Sequence, residues 1–176
     1  FLKSVIDRGL HGVRLITSDD HAGLGQARRA CFPSVPWQRC QFHLMQNAMH
    51  YVPKIAMRPE VGRDLRGVWD APDRSEAERQ LAVLVKKYQS TAPQLAAWLE
   101  ANVPEGLTVF ALPAEHRRRL RTSNPLERLN EEIKRRTRVA TLFPNEASLL
   151  RLVTAILQET SEDWETGKIY LTLETN

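Results

Sequence analysis

Two short runs of β-branched and apolar residues, with a helix-compatible stretch between them, fix what the first quarter of this chain can become. The first run is Val13–Thr17 (VRLIT), stopped by Ser18-Asp19-Asp20. The second is Trp37–Phe42 (WQRCQF), which comes after a turn bracketed by Pro33 and Pro36. Each reads as a strand. Gly23–Cys31 between them reads as a helix, weakened by Gly25. Upstream, apolar side chains at positions 1, 2, 5, 6 and 10 suit a helix face that Gly9 and Gly12 close around His11. Helix, strand, helix, strand is the rhythm of an α/β unit with a parallel pair.

From His43 onward the period changes. Leu44–Val52, Glu60–Trp69, Ser75–Tyr88 and Thr91–Leu99 all carry helical patterning. Ser75 stands at a capping position with Glu78 three residues later. Residues 44–101 therefore read as all-helical. Gly106–Leu112 (GLTVFAL) suits a strand or an extended segment leading into the next helix. A long amphipathic helix is expected from Asn124 or Pro125 to about Arg138, with Leu126, Leu129 and Ile133 as its buried side. After the break at Phe143–Glu146, Asn145 is placed to cap a helix over Glu146–Thr160. That helix carries Leu149, Leu150, Val153, Ile156 and Leu157 on one side, and the KIYLTLE tail suits an edge strand.

Charge is informative only by location. The whole chain carries +4, whereas Arg117–Arg138 holds nine Lys or Arg against three Glu, a local +6. Such a segment is either a solvated helix face or a contact for nucleic-acid backbone. Two cysteines make no disulfide framework, which suits a reduced, cytoplasmic setting. No stretch approaches the roughly 20 apolar residues of a membrane span, and no partner membrane is expected. The opening FLKSVIDRGL lacks a leader pattern and an initiator Met, as a fragment would.

Several residues stand out chemically. Asp19 comes directly after a strand, and ligands of parallel α/β proteins bind beyond the carboxyl ends of strands. With Asp20 and His21 beside it, it is a candidate ligand for a hard cation. The competing reading is a turn former or helix cap. Glu127 falls three residues after Asn124 and two after Pro125, the place of a capping-box glutamate. The same side of that helix carries Asn124, Asn130, Glu131, Lys134 and Arg138, a polar stripe that serves either solvent or a cleft. Cys40-x-x-His43 has half of a zinc site's spacing, but the one other cysteine is Cys31, nine residues earlier. A buried Cys40 with His43 hydrogen-bonded near the cleft is the simpler expectation.

Three blocks carry a resemblance: TSDDHAGL at 17–24, WQRCQFHLMQN at 37–47, and TSNPLERLNEEIKRRTRVATLFPNEASLLRL at 122–152. In these the chain resembles bacterial insertion-sequence transposases of the Mutator type, and the likeness extends over essentially its whole length, with Trp164 and Tyr170 of the tail also fitting. The resemblance implies an α/β, RNase H-like core interrupted by an all-helical insertion. Residues 1–43 would be partial core, 44–104 the insertion, and 105–176 the return to the core. It further implies an Asp-Asp-Glu triad holding two Mg²⁺ or Mn²⁺ ions, of which Asp19 and Glu127 match the second and third members. Cys40, His43, Asn124 and Asn130 match supporting positions. Arg128, Lys134, Arg135, Arg136 and Arg138 match a DNA-binding helix. No acid before Asp19 matches the first Asp, since Asp7 lies in the opening helix. The chain is thus expected to lack the leading strands of the core and to be inactive alone. The whole protein would cleave and join DNA at transposon ends as a homo-oligomer at the bacterial nucleoid. The rival reading is a DNA-binding module without catalysis, using the basic helix 117–138. A third is self-association through the apolar 146–157 helix.

Overall fold

The structure is a computed structural model that describes residues 1–140 and 142–166, apart from the side chains of 164 and 165. It divides into two compact units, Phe1–Ser123 and Asn124–Asn176. The expected strand over KIYLTLE lies outside the described residues.

The first unit opens as the sequence rhythm requires. Helix α1 (Leu2–Asp7) ends before Gly9 and Gly12, whose φ angles of 102° and 69° are open to glycine at no steric cost. Strand β1 (Ile16–Ser18), helix α2 (Ala22–Cys31) and strand β2 (Trp37–Arg39) come next. The strands pair in parallel, with Ile16 opposite Trp37, Thr17 opposite Gln38 and Ser18 opposite Arg39. Both are shorter than the runs that announced them. The second was expected to reach Phe42, but the chain turns at Cys40 into helix α3 (Gln41–Ala48). The reason is packing. Gln41, Leu44 and Ala48 recur at helical spacing and are all buried, whereas Phe42 is 43% exposed.

Helices α4 (Arg58–Trp69), α5 (Arg74–Tyr88) and α6 (Pro93–Asn102) supply the core. Leu65, Val68, Leu81, Leu84, Leu95 and Leu99 pack there with Leu44. Helix α5 starts one residue earlier than its sequence suggests. Its cap is Asp73, whose carboxylate accepts the Glu76 N–H at 2.9 Å, so Ser75 is already helical and Glu78 instead pairs with Arg74. At the other end, Tyr88 is almost fully buried and donates its hydroxyl to Asp64 at 2.6 Å. Burial, and then the bond to Asp64, pushes the Tyr88 phenol up to about 12. A raised folded value gives stability that is complete below the unfolded value near 10 and is lost as pH rises through about 12. Tyr88→Phe is therefore expected to flatten the alkaline fall in stability. Urea unfolding between pH 9 and pH 11.5 measures it, and an unaltered slope would count against this phenol.

The return segment is not a strand. Gly106–Leu112 begins at the end of one 3₁₀ turn, Val103–Gly106, and contains a second, Thr108–Ala111, because glutamine side chains do the work of a ladder. Gln38 Nε2 donates to Gly106 O at 2.8 Å, Gln41 Nε2 donates to the same oxygen at 2.8 Å, and Val109 N donates to Gln38 Oε1 at 2.7 Å. Gly106 admits no side chain, since a Cβ there would lie 2.6 Å from Leu44 Cδ1 and 3.2 Å from the Trp69 ring. Helix α7 (Ala114–Leu120) then leads to residues 121–123.

The second unit is a pair of helices, α8 (Asn124–Val139) and α9 (Glu146–Thr166). Asn145 caps α9 as anticipated, accepting the Ser148 N–H at 2.9 Å. The helix runs six residues past Thr160, since nothing in SEDWET breaks it. Two expectations need correction. The basic stretch 117–138 is two helices, α7 and α8, interrupted at residues 121–123. The expected buried face of α8 is shallow: Leu126 is 60% exposed, and Leu129 and Ile133 are only partly covered. On α9, Ile156 is buried, while Leu150 and Leu157 stay exposed.

Among the described residues, no helix is long and apolar enough to cross a membrane.

Candidate carboxylate site and basic helix

The two acids that end β1 have different fates. The Ser18 hydroxyl accepts the Trp37 indole N–H at 2.9 Å and donates to the Asp19 carbonyl at 2.8 Å, so the turn out of the strand is held from both sides. Asp20 turns toward Arg39 at 3.4 Å. Arg39 is buried, and the same Nη1 also donates to Asn102 at 2.9 Å and Glu105 at 2.8 Å. A buried guanidinium requires such company, because an uncompensated charge there is costly. Asp19 is exposed, and among the described residues its carboxylate has no hydrogen-bond or ion-pair partner. Nor does it cap α2, whose N-cap is His21.

Cys40 and His43 sit at the turn from β2 into α3. Cys40 is fully buried, and its sulfur accepts from both the backbone N–H and the hydroxyl of Ser123, each at 3.4 Å. Nearby, the Gln41 N–H donates to Arg121 O at 3.0 Å, and the Thr17 hydroxyl donates to Leu120 O at 2.7 Å. The Cys40 N–H itself donates to Ser18 O at 2.7 Å. Residues 120–123 are thus fastened to the carboxyl ends of both strands. His43 is half-buried, one residue along the helix from Phe42, whose ring meets it edge-on at 5.5 Å between centroids. Both cysteines are free thiols. Sequence reasoning missed Thr17, Gln41 and Ser123, whose contacts span 80 to more than 100 residues and leave no local signal.

In the second unit, Asn124 opens α8 and Glu127 occupies the fourth helical position, one beyond the capping-box place. The cations of α8 fall into two groups. Glu132 takes Arg135 in a two-pronged grip at 2.7 and 2.8 Å and also accepts from Arg136 at 2.7 Å; Arg136 reaches Glu159 on α9 at 2.8 Å. Arg135 first, then Arg136, holds the Glu132 carboxyl down at about 2, so Glu132 stays ionised throughout the physiological range. Arg128, Lys134 and Arg138 are exposed, and their side chains have no partner among the described residues. At 3.6 residues per turn, Lys134 and Arg138 follow Glu127 along one face, about 10 and 16 Å farther up the helix. Asn130 is exposed near the same face.

Carboxylate oxygens are the donors that Mg²⁺ prefers, and that ion commonly takes only one or two from protein while keeping water and substrate phosphate. An open Asp19 fits such use better than the engaged Asp20. Among the described residues, no group of three or more His, Cys, Asp or Glu gathers to hold a metal.

The chain matches the family described as "Transposase, Mutator family" over residues 1–167. It is 56% identical over 171 residues to the transposase for insertion sequence element IS406 of Burkholderia multivorans, covering 97% of this chain and 44% of that protein. It is 41% identical to the transposase for ISRM5 of Rhizobium meliloti, covering 99% of this chain and 44% of the relative. It is 38% identical to the transposase for IS1081 of Mycobacterium tuberculosis, covering 99% and 42%. The chain therefore spans less than half the length of these relatives.

Proposed function

Taking as premise that this chain belongs to the Mutator family of transposases, we propose that it supplies two carboxylates, Asp19 and Glu127, and a phosphate-binding helix face to a DNA-cleaving and strand-joining centre. The observation that carries this reading is the contrast at the end of β1, where Asp20 is committed to Arg39 and Asp19 is open. A parallel strand pair with an acid at its carboxyl end, then a helical stretch and a return segment, supports an RNase H-like core whose other strands come from elsewhere in the protein.

Asp19 and Glu127 would each lend oxygen ligands to divalent ions, Mg²⁺ or Mn²⁺, with water and DNA phosphate filling the remaining positions. Two such ions, when bound, would supply Lewis-acid activation of the attacking oxygen and stabilise the leaving one. The protein side chains orient and hold. The Ser18 hydroxyl, bonded to the Asp19 carbonyl and to Trp37, would steady the backbone that carries the Asp19 carboxylate. Lys134 and Arg138 would grip successive phosphates beyond Glu127, setting the register of the strand without reading its sequence. Arg136, held by Glu132 and Glu159, would chiefly join α8 to α9, while Arg135 is engaged by Glu132 within α8. A triad needs a third carboxylate from another part of the protein, so this chain alone would not cleave. Action on two transposon ends and a target calls for paired subunits, at the bacterial nucleoid in the cytoplasm.

The test is end cleavage by a complete transposase carrying this chain. Nicking of transposon-end DNA should require Mg²⁺ or Mn²⁺ and stop on chelation; nicking that persists in chelator overturns the metal-dependent reading. In binding assays across salt concentrations, Lys134→Ala and Arg138→Ala should each lower the slope of log affinity against log salt by about 1. Arg135→Ala should change it far less. Equal slopes for all three would remove the division of labour on α8.

A further inference from the structure

Resting on that reading, we infer that Cys40 is a positioning residue for the carboxylate pair, joining the residue before Asp19 to the residue before the Glu127 helix. Its backbone N–H is bonded to Ser18 O, one peptide link upstream of Asp19. Its sulfur receives both donors of Ser123, one link upstream of Asn124, where α8 begins. A single buried residue therefore fixes the points from which both acidic segments depart.

Burial alone does not explain this arrangement. A cysteine kept as a small apolar filler needs no donors, yet here two converge on one sulfur, which is a weak acceptor. The contact is also reinforced. The Thr17 hydroxyl holds Leu120 O and the Gln41 N–H holds Arg121 O, so two successive residues of the incoming segment are clasped, one by β1 and one by the start of α3. The Gln41 N–H is one of the amino-terminal donors of α3 that lack an intrahelical acceptor, and Arg121 O satisfies it. A shift of about 1 Å at a reacting centre costs on the order of a hundredfold in rate, so weak bonds at this point carry kinetic weight beyond their stability.

The experiment uses a complete transposase carrying this chain, with cleavage of saturating end DNA measured beside end affinity and melting temperature. Cys40→Ala should lower kcat by about ten- to a hundredfold, with KM for end DNA little changed. Cys40→Ser, which restores an acceptor on a shorter side chain, should recover part of the loss. Thr17→Val, which keeps shape and removes one bond of the clasp, should lower kcat in the same way but less. The inference is overturned if Cys40→Ala leaves kcat intact or if its loss tracks the unfolded fraction. Asp19→Asn and Glu127→Gln run alongside. If these abolish cleavage while Cys40→Ala does not, the clasp role falls by itself. If they cleave normally, the carboxylate reading falls and takes the clasp with it.

Discussion

Asp19→Asn in a complete transposase carrying this chain is expected to reduce end cleavage on the order of a thousandfold or more, while Asp20→Asn stays within about tenfold of the parent. The magnitude comes from what a metal-ligating carboxylate contributes: several kcal/mol of transition-state stabilisation, at about 1.4 kcal/mol per factor of ten. An amide keeps the shape but loses the charge that a hard cation needs. At Asp20 the side chain answers to Arg39, and Arg39 retains Glu105 and Asn102 when Asp20 is neutralised. Asp20→Asn should thus show as a modest loss of stability and little change in chemistry. Single-turnover cleavage of end DNA, with binding measured separately, distinguishes the two. Equal losses at both positions would mean that the turn is structural and that neither acid is the ligand.

The second large effect is expected at Glu127. Two roles compete there, a first-turn helix charge and a metal ligand. Glutamine separates them, because it keeps hydrogen-bonding capacity while removing the charge. Favourable interaction of a first-turn carboxylate with the helix dipole is worth about 0.3–1 kcal/mol, which would cost the helix little. A ligand role predicts a fall in cleavage on the order of a hundred- to a thousandfold, with helicity by circular dichroism and end binding retained. Loss of folding in proportion to loss of cleavage would favour the helix-start role. A variant that cleaves normally would exclude the ligand role.

What could be read in the sequence divides along physical lines. Helix α2, the helical stretch through α4–α6 and the Asn145 cap of α9 were legible because each is written locally, in periodicity or in a single capping residue. The ends of β2 and the form of Gly106–Leu112 were not. WQRCQF alternates like a strand, yet Leu44 and Ala48 beyond it recruit Gln41 into a helix. GLTVFAL is rich in strand formers, but two distant glutamines satisfy its backbone in place of a neighbouring strand. Likewise, Asp73 rather than Ser75 caps α5, two positions earlier than its capping pattern suggests. At the site, Asp19 and Cys40 drew attention through position and spacing. That Asp20 belongs to Arg39, that Cys40 meets Ser123 and that Glu132 withdraws two arginines from the basic face all depend on side-chain geometry that composition does not encode.

The most direct measurement is anomalous diffraction from the complete transposase bound to end DNA with Mn²⁺ present. Two peaks about 3.5–4 Å apart, both within ligand distance of Asp19 or Glu127 and at least one touching each, are the predicted result. Manganese bound with neither carboxylate in its shell, or Asp19 and Glu127 each serving separate ions far apart, would contradict a shared two-ion centre.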